Sequence, residues 1–135
     1  MSLIKRFCIL LTTLYFVNFF PATHGLSYEL HIVNDLPNTD TLWYHCASGD
    51  KDFGYNKLKV GEDFHFSFSI NLLFTTLYFC HFWWDKKQNV FDVFNKGLVS
   101  ICSRDHTCYW KVKNEGFYAG PNLDSLQLMH EWKPE

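Results

Sequence analysis

The stretch Asp63-Phe64-His65-Phe66-Ser67-Phe68-Ser69-Ile70 alternates aromatic or aliphatic residues with polar ones at every step. Side chains of an extended chain point alternately to opposite faces, so Phe64, Phe66, Phe68 and Ile70 should meet a core while His65, Ser67 and Ser69 meet water. The same period recurs upstream. Tyr28, Leu30 and Ile32 alternate with Glu29 and His31, and Leu42, Tyr44 and Cys46 share a face opposite Trp43 and His45. No stretch of helical length keeps apolar residues at i, i+3, i+4 and i+7, so the chain reads as all-β.

Downstream, Thr75 to Trp84 is apolar on both parities. That pattern fits a central strand covered on both sides or one carrying an exposed aromatic patch. Asn34 to Asp40 with Pro37, and the polar Gly49 to Gly54, read as turns. Asn95-Lys96-Gly97 and Asn114-Glu115-Gly116 fit three-residue hairpin loops with glycine in the left-handed position. Gln88 to Asn95 and Leu98 to Cys102 would then be paired strands. Thr107 to Lys113 places Cys108, Trp110 and Val112 on one face, Phe117 to Ala119 starts a short strand, and Leu126, Leu128 and Trp132 close the domain. About eight short strands at regular spacing predict a small antiparallel β-sandwich or barrel.

The chain has 135 residues, enough for one ordinary domain, and 47% of them are hydrophobic, which excludes a disordered tail. Twelve basic residues against fourteen acidic ones leave no basic stripe to neutralise phosphates, so no nucleic-acid partner is expected. Met1 to Gly25 reads as a secretory signal peptide: Lys5 and Arg6 form the positive region, Phe7 to Phe20 the apolar run, and Thr23 and Gly25 the small residues before the cut. The run is shorter than the ~20 residues a membrane span needs, and no later run approaches that length, so the mature chain is not expected to insert into a membrane. Cleavage leaves residues 26 to 135 as the domain, with ten basic residues against fourteen acidic and a net charge of −4. It also removes Cys8 and leaves Cys46, Cys80, Cys102 and Cys108. Four cysteines in a small exported domain point to two disulfides rather than a metal site, since no CxxC pair or HExxH helix accompanies the scattered histidines.

Four further pieces carry a resemblance. They are His45-Cys46-Ala47-Ser48-Gly49-Asp50-Lys51-Asp52-Phe53-Gly54, then Thr76-Leu77-Tyr78-Phe79-Cys80-His81-Phe82-Trp83, then Cys102 with Cys108-Tyr109-Trp110, then Glu115-Gly116-Phe117-Tyr118. In this order and behind a signal peptide, they resemble the plant self-incompatibility S1 proteins and their S-protein homologues, over roughly Leu30 to Trp132. The chain departs from the family's usual charged run after Cys46, where Ala47, Gly49 and Phe53 stand. The resemblance implies a secreted β-sandwich with two disulfides that acts as an extracellular ligand of a cell-surface receptor, in self-incompatibility or equally in general signalling or defence.

Parity puts Cys46 with Leu42 and Tyr44, and Cys108 with Trp110 and Val112, so both thiols should enter the core. That favours a nested pairing of Cys46 with Cys108 and Cys80 with Cys102, which the resemblance also suggests; the rival pairs Cys102 with Cys108 and Cys46 with Cys80. Gly54 and Gly61 suit turns with unusual backbone angles. The acidic residues Asp50, Asp52, Glu62 and Asp63 fall in or beside polar turns, and no nucleophile elbow, phosphate loop or cofactor motif is present, so no catalytic, cofactor or metal residue is assigned. Recognition is expected instead from the loops between strands, with Asn38, Asp50, Lys51, Asp52, Lys86, Lys87, Arg104 and Asp105 as candidate partner-contact residues. Phe82, Trp83, Trp84 and Phe91 would either fill the core, the favoured reading, or form an aromatic platform for cell-wall sugar.

Overall fold

The computed structural model describes residues 26–135, so the signal-peptide expectation for residues 1–25 lies outside the described residues. Ten strands follow in order: β1 (Ser27–Asn34), β2 (Leu42–Ala47), β3 (Asp52–Leu58), β4 (Asp63–Ser69), β5 (Tyr78–Trp84), β6 (Lys87–Phe94), β7 (Thr107–Lys113), β8 (Gly116–Gly120), β9 (Gln127–His130) and β10 (Lys133–Pro134). They form two five-stranded sheets, one ordered β4-β1-β7-β8-β9 and the other β10-β6-β5-β2-β3, packed as a sandwich. The ladders are antiparallel except for the parallel pair of β1 and β7.

The alternation of the sequence is the layering of the fold. In β1, Tyr28, Leu30, Ile32 and Asn34 are buried and the residues between them are not; in β5, Tyr78, Cys80, Phe82 and Trp84 are buried. Rings from both sheets interlock in the middle, with Phe68 against Tyr78 at 4.8 Å and edge-on to Phe94 at 4.7 Å between centroids. Trp110 crosses the sandwich: it is buried on β7 and its Nε1 donates to the Val93 carbonyl of β6 at 2.9 Å. The buried amide of Asn34 ties one end together, donating to the carbonyls of Leu58 (2.8 Å) and Asp40 (3.0 Å) and accepting from the Leu36 N–H.

Four expectations change. Leu98 to Cys102 is not a strand but part of a short 3-10 turn, Lys96–Ile101, because the Asn95 side chain accepts from the Gly97 N–H and starts a helical turn there. Asp52–Leu58, whose first three residues read as part of the Gly49 to Gly54 turn, is the edge strand β3; the inward-facing polar Asn56 and the outward-facing aromatic Tyr55 blur its apolar alternation. The hairpin at Asn114-Glu115 has two residues, with Gly116 already paired to Lys113. Gly116 has φ +146, and a Cβ there would sit 2.3 Å from the His130 carbonyl, so glycine is required by close approach of β9. Gly54 (φ +76) and Gly61 (φ +86) do adopt the left-handed region expected of them.

The nested disulfide pairing is corrected: the bridges are Cys46–Cys80 and Cys102–Cys108. Parity correctly turned Cys46 and Cys108 inward, but they descend from opposite sheets. Cys46 stands directly across from Cys80 on the adjacent strand β5, with 4.1 Å between Cα atoms. Cys102 leaves the 3-10 turn beside the start of β7, so Cys108 is reached across the short loop between them.

Candidate functional site

Strand direction sorts the connections onto two ends. One, the hairpin end, carries the β1–β2 loop, the β3–β4 turn, and the β5–β6 and β7–β8 hairpins. The other, the disulfide end, carries the β2–β3 loop, the β4–β5 loop, the Asn95–His106 segment and the β8–β9 loop. The eight sequence-predicted contact residues therefore do not share one surface. Asn38, Lys86 and Lys87 lie at the hairpin end; Asp50, Lys51, Asp52, Arg104 and Asp105 lie at the disulfide end.

Several of these residues have local duties. Asp52 sits at the start of β3 rather than in a loop and accepts from the Gly54 N–H at 2.8 Å and meets His45 Nε2 at 2.6 Å. Those contacts, the backbone one first, hold its carboxyl below the usual carboxylate range. Ser48 accepts from the Lys51 N–H and donates to Asp50, while the Lys51 ammonium lies 5.1 Å over the Phe53 ring. Asp105 accepts from the Ser103 hydroxyl, which holds its carboxyl low as well. Lys87 covers the Trp84 ring at 4.7 Å.

The most exposed apolar side chains of the described chain lie outside the eight predicted contact residues. Leu72 and Leu73, in the β4–β5 loop, are 82% and 84% exposed. This loop is built rather than loose. Asn71 accepts from the Thr75 N–H (2.9 Å) and donates to its hydroxyl (2.8 Å), the Asn71 N–H donates to Thr76 Oγ1 (3.0 Å), and the Phe74 N–H returns to the Asn71 carbonyl (3.0 Å). Phe74 takes φ +55 to close the turn and packs against the core, which leaves the two leucines facing water. The signal was present as an apolar pair directly after the turn-forming Asn71, where the strand alternation breaks. Beside the loop lies an open cleft of about 790 Å³, lined by Ser48, Gly49, Asp50, Ser67, Thr75 and Tyr78 among others. Burial holds the Tyr78 phenol above its ordinary pKa. Cys46–Cys80 closes the base of the β2–β3 and β4–β5 loops, and Cys102–Cys108 closes the Ser103–His106 loop.

A second surface lies on the outer face of the β10-β6-β5-β2-β3 sheet. Of the four aromatic residues proposed as core or platform, Phe82 and Trp84 are buried and Phe91 packs on the core, as favoured. Trp83 instead faces outward, stacked on His81 at 3.9 Å and tilted 35° to Tyr55 at 5.9 Å. Tyr55 is 75% and Trp43 49% exposed, and with Trp83 they border a shallow hollow of about 270 Å³.

A family model for the plant self-incompatibility protein S1 matches residues 29–132, nearly all of the described domain. The chain belongs to this family. Among its Arabidopsis thaliana relatives, S-protein homolog 2 is 40% identical over 91 residues, covering 64% of this chain and 56% of that protein. S-protein homolog 18 is 33% identical over 88 residues, covering 65% and 66%, and S-protein homolog 19 is 31% identical over 113 residues, covering 82% and 83%. The chain thus spans little more than half the length of the first of these relatives and about two thirds of the second. A solved self-incompatibility protein homologue, described as one of a widespread family of small, highly stable, secreted plant proteins, superposes with a TM-score of 0.61 at 18% identity, over 81% of this chain and 96% of that one. It shares the fold. The S1 motif residues around Cys46, Cys80, Cys102 and Cys108 are the two disulfides and the strand ends they join.

Proposed function

We propose that this S1-family chain is a secreted extracellular ligand for a cell-surface receptor, and that it meets the receptor with its disulfide end. The observation that carries this reading is the Asn71–Leu77 loop. An apolar pair held exposed by its own hydrogen bonds, in a loop that shares a cleft with the polar Ser48–Asp50 segment, has the apolar-centre and polar-rim anatomy of an interface. Bracing by two disulfides lowers the ordering cost on binding. The two buried polar side chains among the described residues, Asn34 and Asn89, spend their hydrogen bonds on backbone carbonyls and turns, as a scaffold would.

The test is binding of the labelled, disulfide-intact protein to plant plasma-membrane vesicles. Leu72→Ser/Leu73→Ser should keep the urea midpoint and weaken binding by at least about tenfold, each 1.4 kcal/mol of lost contact being one factor of ten. Lys86→Ala at the opposite end should bind as the parent does. Undiminished binding by the leucine variant would refute the assignment of this end.

The outer-face hollow supports a second reading, attachment to cell-wall polysaccharide, because exposed Trp43 and Tyr55 offer ring faces to sugar C–H groups. Pull-down on insoluble cell-wall polysaccharide with Trp43→Ser/Tyr55→Ser separates it from the receptor reading.

A further inference from the structure

On the outer face of the other sheet, three ligand-type side chains converge: His31 of β1 with Asp63 and His65 of β4. Strand register sets the cluster. His31 and His65 are direct cross-strand partners, and Asp63 lies two residues before His65 on the same face, diagonal to His31. Each oxygen of Asp63 addresses a different imidazole: Oδ2 is 2.7 Å from His31 Nδ1, and Oδ1 is 3.9 Å from His65 Nδ1. One ligand atom from each residue lies within 4.8 Å of the other two.

We propose that His31, Asp63 and His65 form a surface site for a borderline divalent transition-metal ion, of the zinc or copper(II) class. Two imidazoles and one carboxylate are the donor set that class prefers, whereas calcium and magnesium want mostly oxygen. Bonds of about 2.0 to 2.1 Å in a tetrahedron place ligand atoms roughly 3.3 Å apart. The two contacts use different oxygens of Asp63, so bringing one oxygen to that spacing from both imidazoles takes a turn of the Asp63 carboxyl and of the His65 ring. His65 is exposed on the edge strand β4, so its ring turns without disturbing the core. Three protein ligands leave a fourth position open to solvent.

His31 is the fixed member of the set. Its side chain is only 13% exposed, stacked between His65 (5.0 Å) and Tyr109 of β7 (4.7 Å). Its other nitrogen, Nε2, faces the Glu29 carboxylate at 3.5 Å. A carboxylate on the far nitrogen favours the tautomer that leaves Nδ1 with its lone pair toward the ion, the orientation device of metal-binding histidines. In the metal-free protein Nδ1–H can instead donate to Asp63, so binding exchanges one hydrogen bond for a shared ion. The β10-β6-β5-β2-β3 sheet supplies the contrast. His45 and His81 are also cross-strand partners there, but His45 Nε2 turns to Asp52 and His81 Nε2 to Gln88, so they converge on no common ligand. Bound metal would clip the edge strand β4 to β1 and stabilise the fold by preferential binding to the native state.

The experiment is calorimetric titration of zinc into tag-free, disulfide-intact protein, with melting curves in zinc and in EDTA and the copper(II) electron paramagnetic resonance spectrum. The parent should bind one ion per chain, melt higher in zinc than in EDTA, and show nitrogen donors to copper. His65→Gln should bind at least about tenfold more weakly and lose the zinc-dependent rise in melting temperature. Its melting temperature in EDTA should match the parent's, which certifies the fold; His81→Gln should bind zinc as the parent does. Equal affinity in His65→Gln and the parent would overturn the site, as would absence of binding at millimolar zinc and copper.

Discussion

Removing the two disulfides separately should have unequal costs, and the inequality follows from where the structure places them. Cys46 and Cys80 are 34 residues apart in sequence, Cys102 and Cys108 only 6. A bridge restrains the unfolded chain in proportion to the logarithm of the loop it closes, giving roughly 4 kcal/mol for the first and roughly 2 kcal/mol for the second. Packing acts in the same direction, because Cys46 and Cys80 are both fully buried whereas Cys102 is partly exposed. Against a total stability of about 5 to 15 kcal/mol for a small domain, Cys46→Ala/Cys80→Ala removes a large share and Cys102→Ala/Cys108→Ala a modest one. Urea unfolding followed by tryptophan fluorescence measures both, and thiol titration under denaturant supplies the control. Each double variant should contain no free thiol from these four positions, since the other bridge remains intact. Two free thiols in either variant, or a larger loss from Cys102→Ala/Cys108→Ala, would refute the pairing and the loop-length reasoning together.

Trp110→Phe removes the indole donor to the Val93 carbonyl between the sheets and should cost about 2 to 4 kcal/mol in urea unfolding. Gly116→Ala should cost at least about 2 kcal/mol, because its Cβ collides with the His130 carbonyl and its φ is +146; Gly49→Ala, with no atom within 4 Å, should be near neutral. Burial, then the nearby Lys133 charge, hold the His130 pKa below its ordinary 6.5, so the unfolded chain takes up this proton more readily than the native one. The resulting penalty is absent above pH 6.5, grows as pH falls through that value and levels off below the depressed native one; His130→Gln should flatten that part of a stability profile measured from about pH 7.5 to about pH 5.

Fold class and layering were legible along the chain. Asp63 to Ile70, Tyr28 to Ile32 and Leu42 to Cys46 alternate, and a period of two assigns each side chain to a face through the geometry of one extended strand. The four motif pieces, three of them built around cysteines, likewise pointed to the S1 family. What one strand cannot contain is the identity of its neighbour. Parity turned Cys46 and Cys108 inward correctly but carried no information on which sheet each belongs to, so the bridge went to Cys80, the residue register places opposite. The same limit separated Asn38 and Lys86 from Asp50 and Arg104, since loops gather at one end or the other according to strand direction and order. It also hid the meeting of His31, Asp63 and His65, and which end of the sandwich carries the apolar pair Leu72 and Leu73. Each depends on pairings between segments more than thirty residues apart, made when the core closes, and local chain geometry holds no record of them.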